Sequence, residues 1–351
     1  MRIILDGMGG DNAPREIVKG AAIASKIVNH EICIVGDEEQ IKKELAGHEY
    51  DPEKISIVHS TEVITGEDKP IDAIRRKKDS SLVKGLMMIK RGEGDMLLSA
   101  GNSGAMMMGG VLLLGRIGKV DRPALGAVYP FLKKGTIGLI VDAGANTECR
   151  PAPMLYFAAM GSLYAEMVLG IPNPTVGLIN MGVEENKGTK TLIEVHRLLQ
   201  IAKEQTGLNF IGNIEGRDIP MGVADVIICD GFAGNLLLKV TEGVALSIMG
   251  LMKHHFTSGF RAKIGALILK PKLNAMKESF NYQTYGGAPI LGVKAPIIKI
   301  HGSSTYESVV NGIIKAVPYI EKDVISKIGG AISGMDEILA QNPGKASDGE
   351  A

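Results

Sequence analysis

The 351-residue chain contains no tryptophan, and aromatic residues make up only 4% of it. Proteins that hold single-stranded nucleic acid stack the bases on aromatic side chains, so this scarcity argues against such a platform. The chain also lacks net charge, because 39 Lys and Arg residues balance 39 Asp and Glu residues. A nucleic-acid-binding domain normally carries a basic excess. Both shortages argue against a general nucleic-acid-binding protein.

Cysteine is scarce as well, with Cys33, Cys149 and Cys229 far apart in the sequence. Three scattered cysteines do not supply a disulfide framework or a cysteine-based zinc site, and they are typical of a reducing compartment. The chain enters a strand-like segment at once, which leaves no room for a signal peptide. No apolar run approaches the ~18 residues that a membrane span needs. We therefore expect a cytoplasmic protein that at most contacts the inner face of the membrane.

Several motifs of cofactor and hydrolase chemistry are missing. The first apolar run is not followed by G-x-G-x-x-G, and G-x-x-x-x-G-K-[ST] does not occur, so dinucleotide and P-loop sites lack their main support. Without a G-x-S-x-G elbow, a serine hydrolase has no nucleophile. His254 and His255 are adjacent, which is poor spacing for one metal-binding face of a helix. We expect neither a metal nor an organic cofactor.

Short apolar runs recur along the chain, and most precede a Gly-rich turn and a segment of helical periodicity. The predicted strands are Ile3–Leu5, Ile32–Val35, Ile55–Val58, Met96–Leu98, Ile137–Val141, Thr175–Ile179, Phe210–Ile214, Val226–Cys229 and Ile297–Ile300. The predicted helices include Met154–Leu169, Thr189–Lys203 and Leu236–Met252. This alternation predicts a three-layer α/β/α sandwich with a mostly parallel sheet. We expect residues 1–341 to form a single catalytic domain and 342–351 a flexible tail.

The turns after these strands are rich in Gly, Asn, Ser and Asp. In a parallel sheet the carboxyl ends of the strands share one edge, where ligands bind. Any one such turn is ordinary turn chemistry, but seven at one edge predict a cleft for phosphate or another oxyanion. The seven turns begin at Asp6, Ser99, Asp142, Asn180, Asn213, Asp230 and His301.

Residues 251–277 contain basic side chains and no Asp or Glu. Apolar residues are interleaved with them, which suits contact with an anionic membrane surface. The predicted contacts are Phe260, Lys263, Ile264, Leu267, Ile268 and Lys270. The alternative is a helical hairpin that buries its apolar face at a subunit contact, and the two can coexist in a dimer. A second basic cluster, Arg75, Arg76, Lys77 and Lys78, is either a solvated helix face or a dock for an acidic partner.

Seven blocks of sequence resemble, in order, the signature blocks of the phosphate acyltransferase (PlsX) family. They span residues 1 to about 320, and the ordered set is far more specific than any single block. Gly7 and the Asp142 turn depart from the family only by exchanges among small residues. The blocks are Asp6-Gly-Met-Gly-Gly-Asp-Asn-Ala-Pro, Lys77-Lys-Asp-Ser-Ser, Ala100-Gly-Asn-Ser-Gly-Ala, Asn213-Ile-Glu-Gly-Arg-Asp, Asp230-Gly-Phe-Ala-Gly-Asn, Tyr285-Gly-Gly-Ala-Pro-Ile-Leu-Gly-Val and His301-Gly-Ser-Ser.

The resemblance implies a fold akin to isopropylmalate dehydrogenases and phosphotransacetylases, with a protruding helical tip at 251–277, working as a homodimer. It implies conversion of acyl-acyl carrier protein and inorganic phosphate to acyl-phosphate and free carrier protein, a step that feeds phospholipid synthesis. A membrane glycerol-3-phosphate acyltransferase that uses acyl-phosphate would then be a partner. Because the carrier protein is acidic, the cluster Arg75 to Lys78 becomes its candidate dock.

For the transfer, we expect Lys187 to neutralise phosphate and Asn235 to donate to the carbonyl oxygen, since the resemblance implies that both lie in catalytic motifs of the family. The predicted phosphate- or substrate-binding residues are Asp11, Asn12, Gly101, Asn102, Ser103, Asn146, His301 and Ser303. The alternative for Lys187 is a solvated turn lysine, and the alternative for Asn235 is an asparagine that only caps a helix. His301 could protonate the leaving thiolate or serve only to support the fold. Cys149 is expected to be a packing residue, and the alternative is a catalytic nucleophile.

Three other functions compete with this one. A phosphotransacetylase-like enzyme would use acyl-CoA instead of the carrier protein. A catalytically silent membrane scaffold would retain the basic segment with degraded cleft motifs, whereas the motifs here are intact. An NAD-dependent dehydrogenase of related fold would need an adenine-pocket signature and metal-binding aspartates, and no convincing set occurs.

Overall fold

The computed structural model describes residues 1–133, 135–257, 259, 265, 267–271 and 286–342. The strands are β1 (Arg2–Asp6), β2 (Glu31–Gly36), β3 (Ile55–His59), β4 (Met96–Ser99), β5 (Ala124–Pro130), β6 (Ile137–Val141), β7 (Val176–Asn180), β8 (Phe210–Glu215), β9 (Val226–Ile228), β10 (Ala288–Leu291) and β11 (Ile297–Lys299). They form one eleven-stranded sheet in the order β3-β2-β1-β4-β11-β10-β5-β6-β9-β7-β8.

The helices follow most strands, as the alternating pattern predicts. They are α1 (Arg15–Ser25), α2 (Glu38–Leu45), α3 (Pro70–Arg76), α4 (Ser81–Lys90), α5 (Ser103–Gly109, continued by a π-helical turn Gly110–Leu114), α6 (Pro151–Met167), α7 (Lys190–Thr206), α8 (Gly231–Thr257), α9 (Tyr306–Glu321) and α10 (Val324–Gln341). A 3₁₀ turn, Ile219–Met221, precedes β9.

Alternate residues of the central strands point to two different apolar clusters. Ile3 and Leu5 of β1 are buried in one cluster, whereas Ile4 between them is buried in another. Because successive side chains of a strand point to opposite faces, the sheet is covered on both sides. The predicted three-layer α/β/α arrangement is confirmed.

All nine predicted strands are confirmed within a residue or two, but the sequence reading missed β5 and β10. These two strands contain Pro and Gly residues, which normally indicate turns. β10 pairs antiparallel with β11 and with β5, and β5 pairs antiparallel with β6. The missed strands are therefore the ones that reverse the direction of the sheet.

This reversal makes the prediction of a single cleft edge wrong. β1, β4 and β11 run parallel to one another, and we call the edge at their carboxyl ends the first edge. β6, β7, β8 and β9 are also mutually parallel, and their carboxyl ends form the second edge, on the opposite side of the sheet. The seven polar turns are thus divided between two edges.

Helix α8 is unusual because it leaves large apolar side chains exposed. By length and composition alone, its segment Gly231–Phe256 could cross a membrane, and none of its most apolar window is buried. The expectation that no segment reaches that length was therefore wrong. The exposed side chains recur mainly every fourth residue, at Phe232, Leu236, Val240, Val244, Ile248 and Leu251.

Candidate active site

The first edge is organised by the buried carboxyl group of Asp6, at the end of β1. Its oxygens accept hydrogen bonds from the hydroxyl groups of Ser81 at 2.5 Å and Ser99 at 2.6 Å. The amide N–H of Met8 donates to it as well, at 3.3 Å. Burial raises the pKa of Asp6 above its ordinary value, and these hydrogen bonds oppose the rise only in part. Asp6 thus ties the ends of two parallel strands to helix α4.

Two of the predicted ligand-binding side chains of the first edge, Asn12 and Asn102, are engaged with the protein itself. Asn12 donates through Nδ2 to the carbonyl oxygens of Ser303 and Ser304, both at 3.2 Å. Asn102 caps α5 by accepting from Ala105 N–H at 3.0 Å, and its Nδ2 donates to the backbone carbonyls of Thr65, Gly66 and Asp68. These two asparagines tether loops, and a phosphate would have to displace those bonds.

The remaining predicted residues of this edge lie in the same group of closely packed turns. The Nδ1 atom of His301 is 2.8 Å from the Ser303 hydroxyl oxygen. The amide N–H of Gly101 donates to Ser99 Oγ at 2.9 Å. Gly10 has φ 100°, and a Cβ there would lie 2.7 Å from the Ala100 Cβ. Close packing of turns accounts for the glycine at this position. Asp11 and Ser103 belong to these same turns.

The second edge is organised by a different buried carboxylate, that of Asp142 after β6. Its Oδ1 accepts from the amide N–H of Leu125 at 3.0 Å and of Gly144 at 3.2 Å. Its Oδ2 accepts from both N–H and Nδ2 of Asn146, at 2.7 and 2.9 Å. The predicted phosphate-binding residue Asn146 is therefore buried and holds the turn together, with a further bond from Nδ2 to Pro123 O at 2.9 Å.

Helix α8 begins against this Asp142 turn. A Cβ at Gly234 would fall within 2 Å of the Asp142 carbonyl oxygen, so only glycine fits there. Asp230 caps the helix by accepting from Ala233 N–H at 2.8 Å, so the helix starts one turn earlier than predicted. Asn235 consequently lies inside the helix and is not its N-cap. Its Cβ lies 3.4 Å from the Cβ position at Gly144.

Lys187 lies in the turn after β7, and buried asparagines fix this turn at two places. Asn180 donates through Nδ2 to the carbonyl oxygen of Lys187 at 2.9 Å. Asn213, at the end of β8, donates to the carbonyl oxygen of Glu184 at 2.8 Å, and its Oδ1 lies 3.0 Å from Nδ1 of buried His196. The backbone of the turn is therefore rigidly held while the side chain of Lys187 is exposed.

Lys187 and Asn235 share a property that the first-edge asparagines lack. Both side chains are exposed, and within the residues that the structure describes neither has a hydrogen-bond or ion-pair partner. β7 and β9 are neighbours in the sheet, so the turn of Lys187 and the start of α8 follow adjacent strand ends. A free ammonium group and a free amide on adjacent, rigid supports are suited to binding an anion and donating to an oxyanion.

Neither cysteine at the second edge is prepared to act as a nucleophile. Burial, with the nearby charges of Asp142 and Asp230, raises the pKa of Cys149 to about 12. The same causes raise the pKa of Cys229 well above its usual value. Because the thiolate is the reactive form, both groups remain thiols at neutral pH. The packing interpretation of Cys149 is favoured over covalent catalysis.

Comparison with known proteins identifies the family. A family model described as fatty acid synthesis protein matches residues 1–327. A phosphate acyltransferase of Alkaliphilus oremlandii is 48% identical over 337 residues, covering 96% of this chain and 99% of the relative. One of Clostridioides difficile is 44% identical, covering 96% of this chain and 98% of the relative. This chain belongs to the phosphate acyltransferase (PlsX) family. It is an acyltransferase by membership.

Two solved structures share the fold of this phosphate acyltransferase family member at low sequence identity. A EutD phosphotransacetylase from Staphylococcus aureus superposes with a TM-score of 0.56 at 14% identity, covering 95% of this chain and 94% of that chain. A phosphotransacetylase from Streptococcus pyogenes gives 0.59 at 13% identity, covering 96% and 94%. The phosphotransacetylase-like fold that the resemblance implied is confirmed.

Two further predicted surfaces of the acyltransferase are only partly as expected. Lys77 is not a free member of the basic cluster, because its Nζ donates to Val63 O at 2.8 Å and contacts Asp68 at 2.6 Å. Arg75, Arg76 and Lys78 are exposed. Of the predicted membrane contacts, Leu267, Ile268 and Lys270 are exposed and helical, whereas Phe260, Lys263 and Ile264 lie outside the described residues. Roles for both surfaces stay predictions.

Sequence reasoning missed the residues that hold the catalytic candidates in place. Asp142, Asn180, Asn213 and His196 are buried polar side chains with satisfied hydrogen bonds. Three of them stand where a predicted strand meets its turn, a signal that was available. His196 lies on the core face of α7, where a polar residue breaks the apolar pattern and needs a partner.

Proposed function

We propose that the second edge transfers an acyl group from acyl carrier protein to inorganic phosphate, forming acyl-phosphate and free carrier protein. The observation that carries this proposal is the pair Lys187 and Asn235, both exposed and both unpartnered within the described chain. Membership of the phosphate acyltransferase family supports the choice of phosphate as acceptor. The acyl-phosphate product would then be consumed by a membrane acyltransferase in phospholipid synthesis.

The chemistry requires only groups that this edge offers. An oxygen of hydrogen phosphate attacks the thioester carbonyl carbon and forms the new C–O bond, which gives a tetrahedral oxyanion. The C–S bond breaks when this intermediate collapses. The proton of the phosphate neutralises the departing thiolate, so no protein nucleophile is consumed. Lys187 offsets the charge of the phosphate, and the amide of Asn235 donates to the oxyanion of the tetrahedral intermediate. High thiol pKa values at Cys149 and Cys229 fit such a direct transfer.

The decisive experiment measures acyl-phosphate formation from palmitoyl-acyl carrier protein and inorganic phosphate. We expect Lys187→Ala to lower kcat by about 100-fold without loss of folding, as for removal of one transition-state donor. Lys190→Ala is the matched control, because this lysine is also exposed, stands three residues away and begins α7. We expect it to retain activity within ~3-fold.

Three outcomes of this assay would change the proposal. Turnover with acyl-CoA alone would favour the phosphotransacetylase-like alternative. Inactivity with both thioesters would reject acyl transfer and leave the scaffold alternative. Equal losses in Lys187→Ala and Lys190→Ala would remove Lys187 from the active site while leaving the reaction itself established.

We also propose that the basic residues Arg75, Arg76 and Lys78 dock the acidic carrier protein. They are exposed on and just after α3, and none has an ion-pair partner within the described chain. Charge complementarity of this kind acts mainly on the rate of association. Reversing Arg75 and Arg76 to Glu should raise the KM for acyl-carrier protein at low salt and leave the KM for phosphate unchanged. A KM for acyl-carrier protein that did not change would reject the dock.

The apolar stripe of α8 supports a homodimer, and the apolar residues after it support membrane contact. The stripe is exposed in the single chain, and burying it against a second copy would remove it from water. Val240→Asp should convert a dimer to a monomer in light scattering. Leu267→Glu together with Ile268→Glu should abolish flotation with phosphatidylglycerol vesicles and leave the dimer intact. A monomeric wild type would reject the homodimer, and a wild type that does not float with the vesicles would reject the membrane contact.

A further inference from the structure

Arg122 stands at the second edge, although it precedes a strand and does not follow one. Because β5 runs antiparallel to β6, the amino end of β5 lies beside the carboxyl end of β6. Pro123 O accepts from Asn146 Nδ2 at 2.9 Å, and Leu125 N–H donates to Asp142 at 3.0 Å. The backbone on the carboxyl side of Arg122 is therefore fixed to the turn on which α8 and Asn235 rest.

The guanidinium group of Arg122 differs from those of its two arginine neighbours. Arg116 donates to the carbonyl oxygen of Asp121 at 2.8 Å, and Arg150 pairs with the Asp121 carboxylate at 2.6 Å. Arg122 is exposed and has neither a hydrogen bond nor an ion pair among the residues that the structure describes. Arg116 and Arg150 are thus both bonded to Asp121, whereas the adjacent Arg122 has all five of its N–H donors available.

The charge of Arg122 is close enough to act on Cys149, a residue of the second edge. It lowers the pKa of Cys149, against the larger effects of burial and of the carboxylates Asp142 and Asp230. Arg122 therefore lies within electrostatic range of the chain that follows the Asp142 turn. Those carboxylates would repel a phosphate dianion from this edge, so a lysine alone is a weak counter-charge there. A guanidinium group can bind two phosphate oxygens at once, whereas an ammonium group acts as a point charge.

We propose that Arg122 binds the inorganic phosphate substrate at the second edge, together with Lys187. This inference rests on the proposed function of that edge. Arg122 holds the two oxygens of the phosphate that do not react, and Lys187 and Asn235 act on the reacting side. The loop before β5, which is not one of the seven polar turns, thereby becomes part of the phosphate site.

The first test compares Arg122→Ala and Arg122→Lys with wild type in the acyl-phosphate assay, varying phosphate at saturating palmitoyl-acyl carrier protein. We expect the KM for phosphate to rise about 10- to 100-fold in Arg122→Ala, as for loss of a charge-assisted bidentate contact. Arg122→Lys should lie between it and wild type. The KM for the carrier-protein thioester should change by less than ~3-fold, because the phosphate contact is not part of that binding step.

Arg15→Ala is the matched control, since Arg15 is an exposed arginine at the start of α1, beside the first edge. We expect it to leave the KM for phosphate unchanged. An unchanged phosphate KM in Arg122→Ala would overturn the inference and leave the acyltransferase function standing. A rise in Arg15→Ala alone would overturn it too, and would move the phosphate to the first edge.

The second test does not depend on turnover. Inorganic phosphate should raise the Tm of the wild type by about 2 °C or more at saturation, because it binds only the folded state. Arg122→Ala should fold with a similar Tm in phosphate-free buffer and respond only at much higher phosphate. An equal phosphate response in both proteins would contradict the assignment. If the wild type binds phosphate yet forms no acyl-phosphate, the proposed function fails while the binding residue stands.

Discussion

The two edges of the sheet look alike in sequence and differ in what their side chains do. Each has a buried aspartate at a strand end, Asp6 at the first and Asp142 at the second, and each aspartate gathers turns rich in Gly and Asn. At the first edge both asparagine side chains are bonded to the backbone, since Asn12 donates to the Ser303 carbonyl oxygen and Asn102 accepts from Ala105 N–H. At the second edge the same kind of scaffold leaves Lys187 and Asn235 with donors to spare.

It follows from this difference that a polar, glycine-rich turn is not in itself a ligand site. Such a turn needs internal hydrogen bonds to exist, and these consume the donors that a ligand would use. A site is indicated where the scaffold is satisfied and further side chains remain without partners. By this criterion the second edge is the better candidate for chemistry, although both edges carry blocks that resemble the family.

A pair of asparagine substitutions, one at each edge, tests most directly whether the two edges have different roles. Asn235→Ala should lower kcat by about 100-fold and leave stability nearly unchanged, because the amide has no partner in the described protein. Asn102→Ala should lower the free energy of unfolding by ~1–3 kcal/mol, because it removes a helix cap and loop tethers. Its kcat should stay within ~3-fold.

Steady-state kinetics give kcat for both variants, and urea unfolding gives the free energy of unfolding of both. Swapped behaviour, with Asn102→Ala catalytically dead and stable and Asn235→Ala active and unstable, would place the chemistry at the first edge. Loss of kcat in both without loss of stability would mean that the two edges act on the same substrate, for instance across a dimer.

A smaller effect on activity is expected for the two buried aspartates. Asp142→Asn should lower the free energy of unfolding by ~2–4 kcal/mol, because an NH₂ group would face donors of Asn146 that now bind a carboxylate oxygen. It should also lower kcat/KM by about 10-fold, since α8 and Asn235 rest on this turn. Asp6→Asn should be milder in stability and nearly silent in activity. Urea unfolding and the acyl-phosphate assay measure both.

If Asp6→Asn were the more damaging of the two to kcat/KM, the assignment of the edges would be reversed. Partial recovery of activity in Asp142→Asn at saturating phosphate would show that the aspartate positions the phosphate-binding groups. A fall in stability with unchanged kcat/KM would restrict Asp142 to a role in the fold.

Local sequence patterns could predict the elements but not the direction in which half of them run. The nine apolar runs are strands because burial on both faces demands continuous apolar residues. The two antiparallel strands were hidden by Pro289 and Gly126, which read as turn residues in isolation. They are tolerated because neighbouring strands supply the pairing, a tertiary effect that no local window contains.

The residues of the candidate site likewise include some that local sequence could predict and some that it could not. Lys187 and Asn235 could be chosen from the Gly-rich turns that contain or precede them, but whether their side chains have hydrogen-bond partners depends on the whole fold. Asn102 could have been read as an N-cap, since Asn before a helical segment is a strong signal. Likewise, Asp230 before Gly231 indicates that α8 begins there. Arg122 could not be found from turns after strands, because it precedes a strand whose direction was unknown.

The smallest expected effect concerns the charge on Asp6 and its dependence on pH. Burial raises its pKa above the ordinary value of 3.8, so the folded chain binds this proton more tightly than the unfolded chain does. Its contribution to stability is complete below pH 3.8 and declines as the pH rises through the folded pKa. Asn at this position does not titrate. The unfolding free energy of wild type minus that of Asp6→Asn should therefore fall over this window, by at most ~1.4 kcal/mol per pH unit.

Urea unfolding of both proteins from about pH 4 to pH 8 measures this difference. Other carboxylates titrate equally in the two proteins and cancel, including Asp79, whose pKa is lowered mainly by its hydrogen bond with Lys84. A difference that rises with pH would mean that the hydroxyl groups of Ser81 and Ser99 stabilise the carboxylate more than burial penalises it. The first edge would then hold a negative charge, as the second edge does with Asp142 and Asp230, and the distinction between the two edges would rest on their side-chain hydrogen bonds.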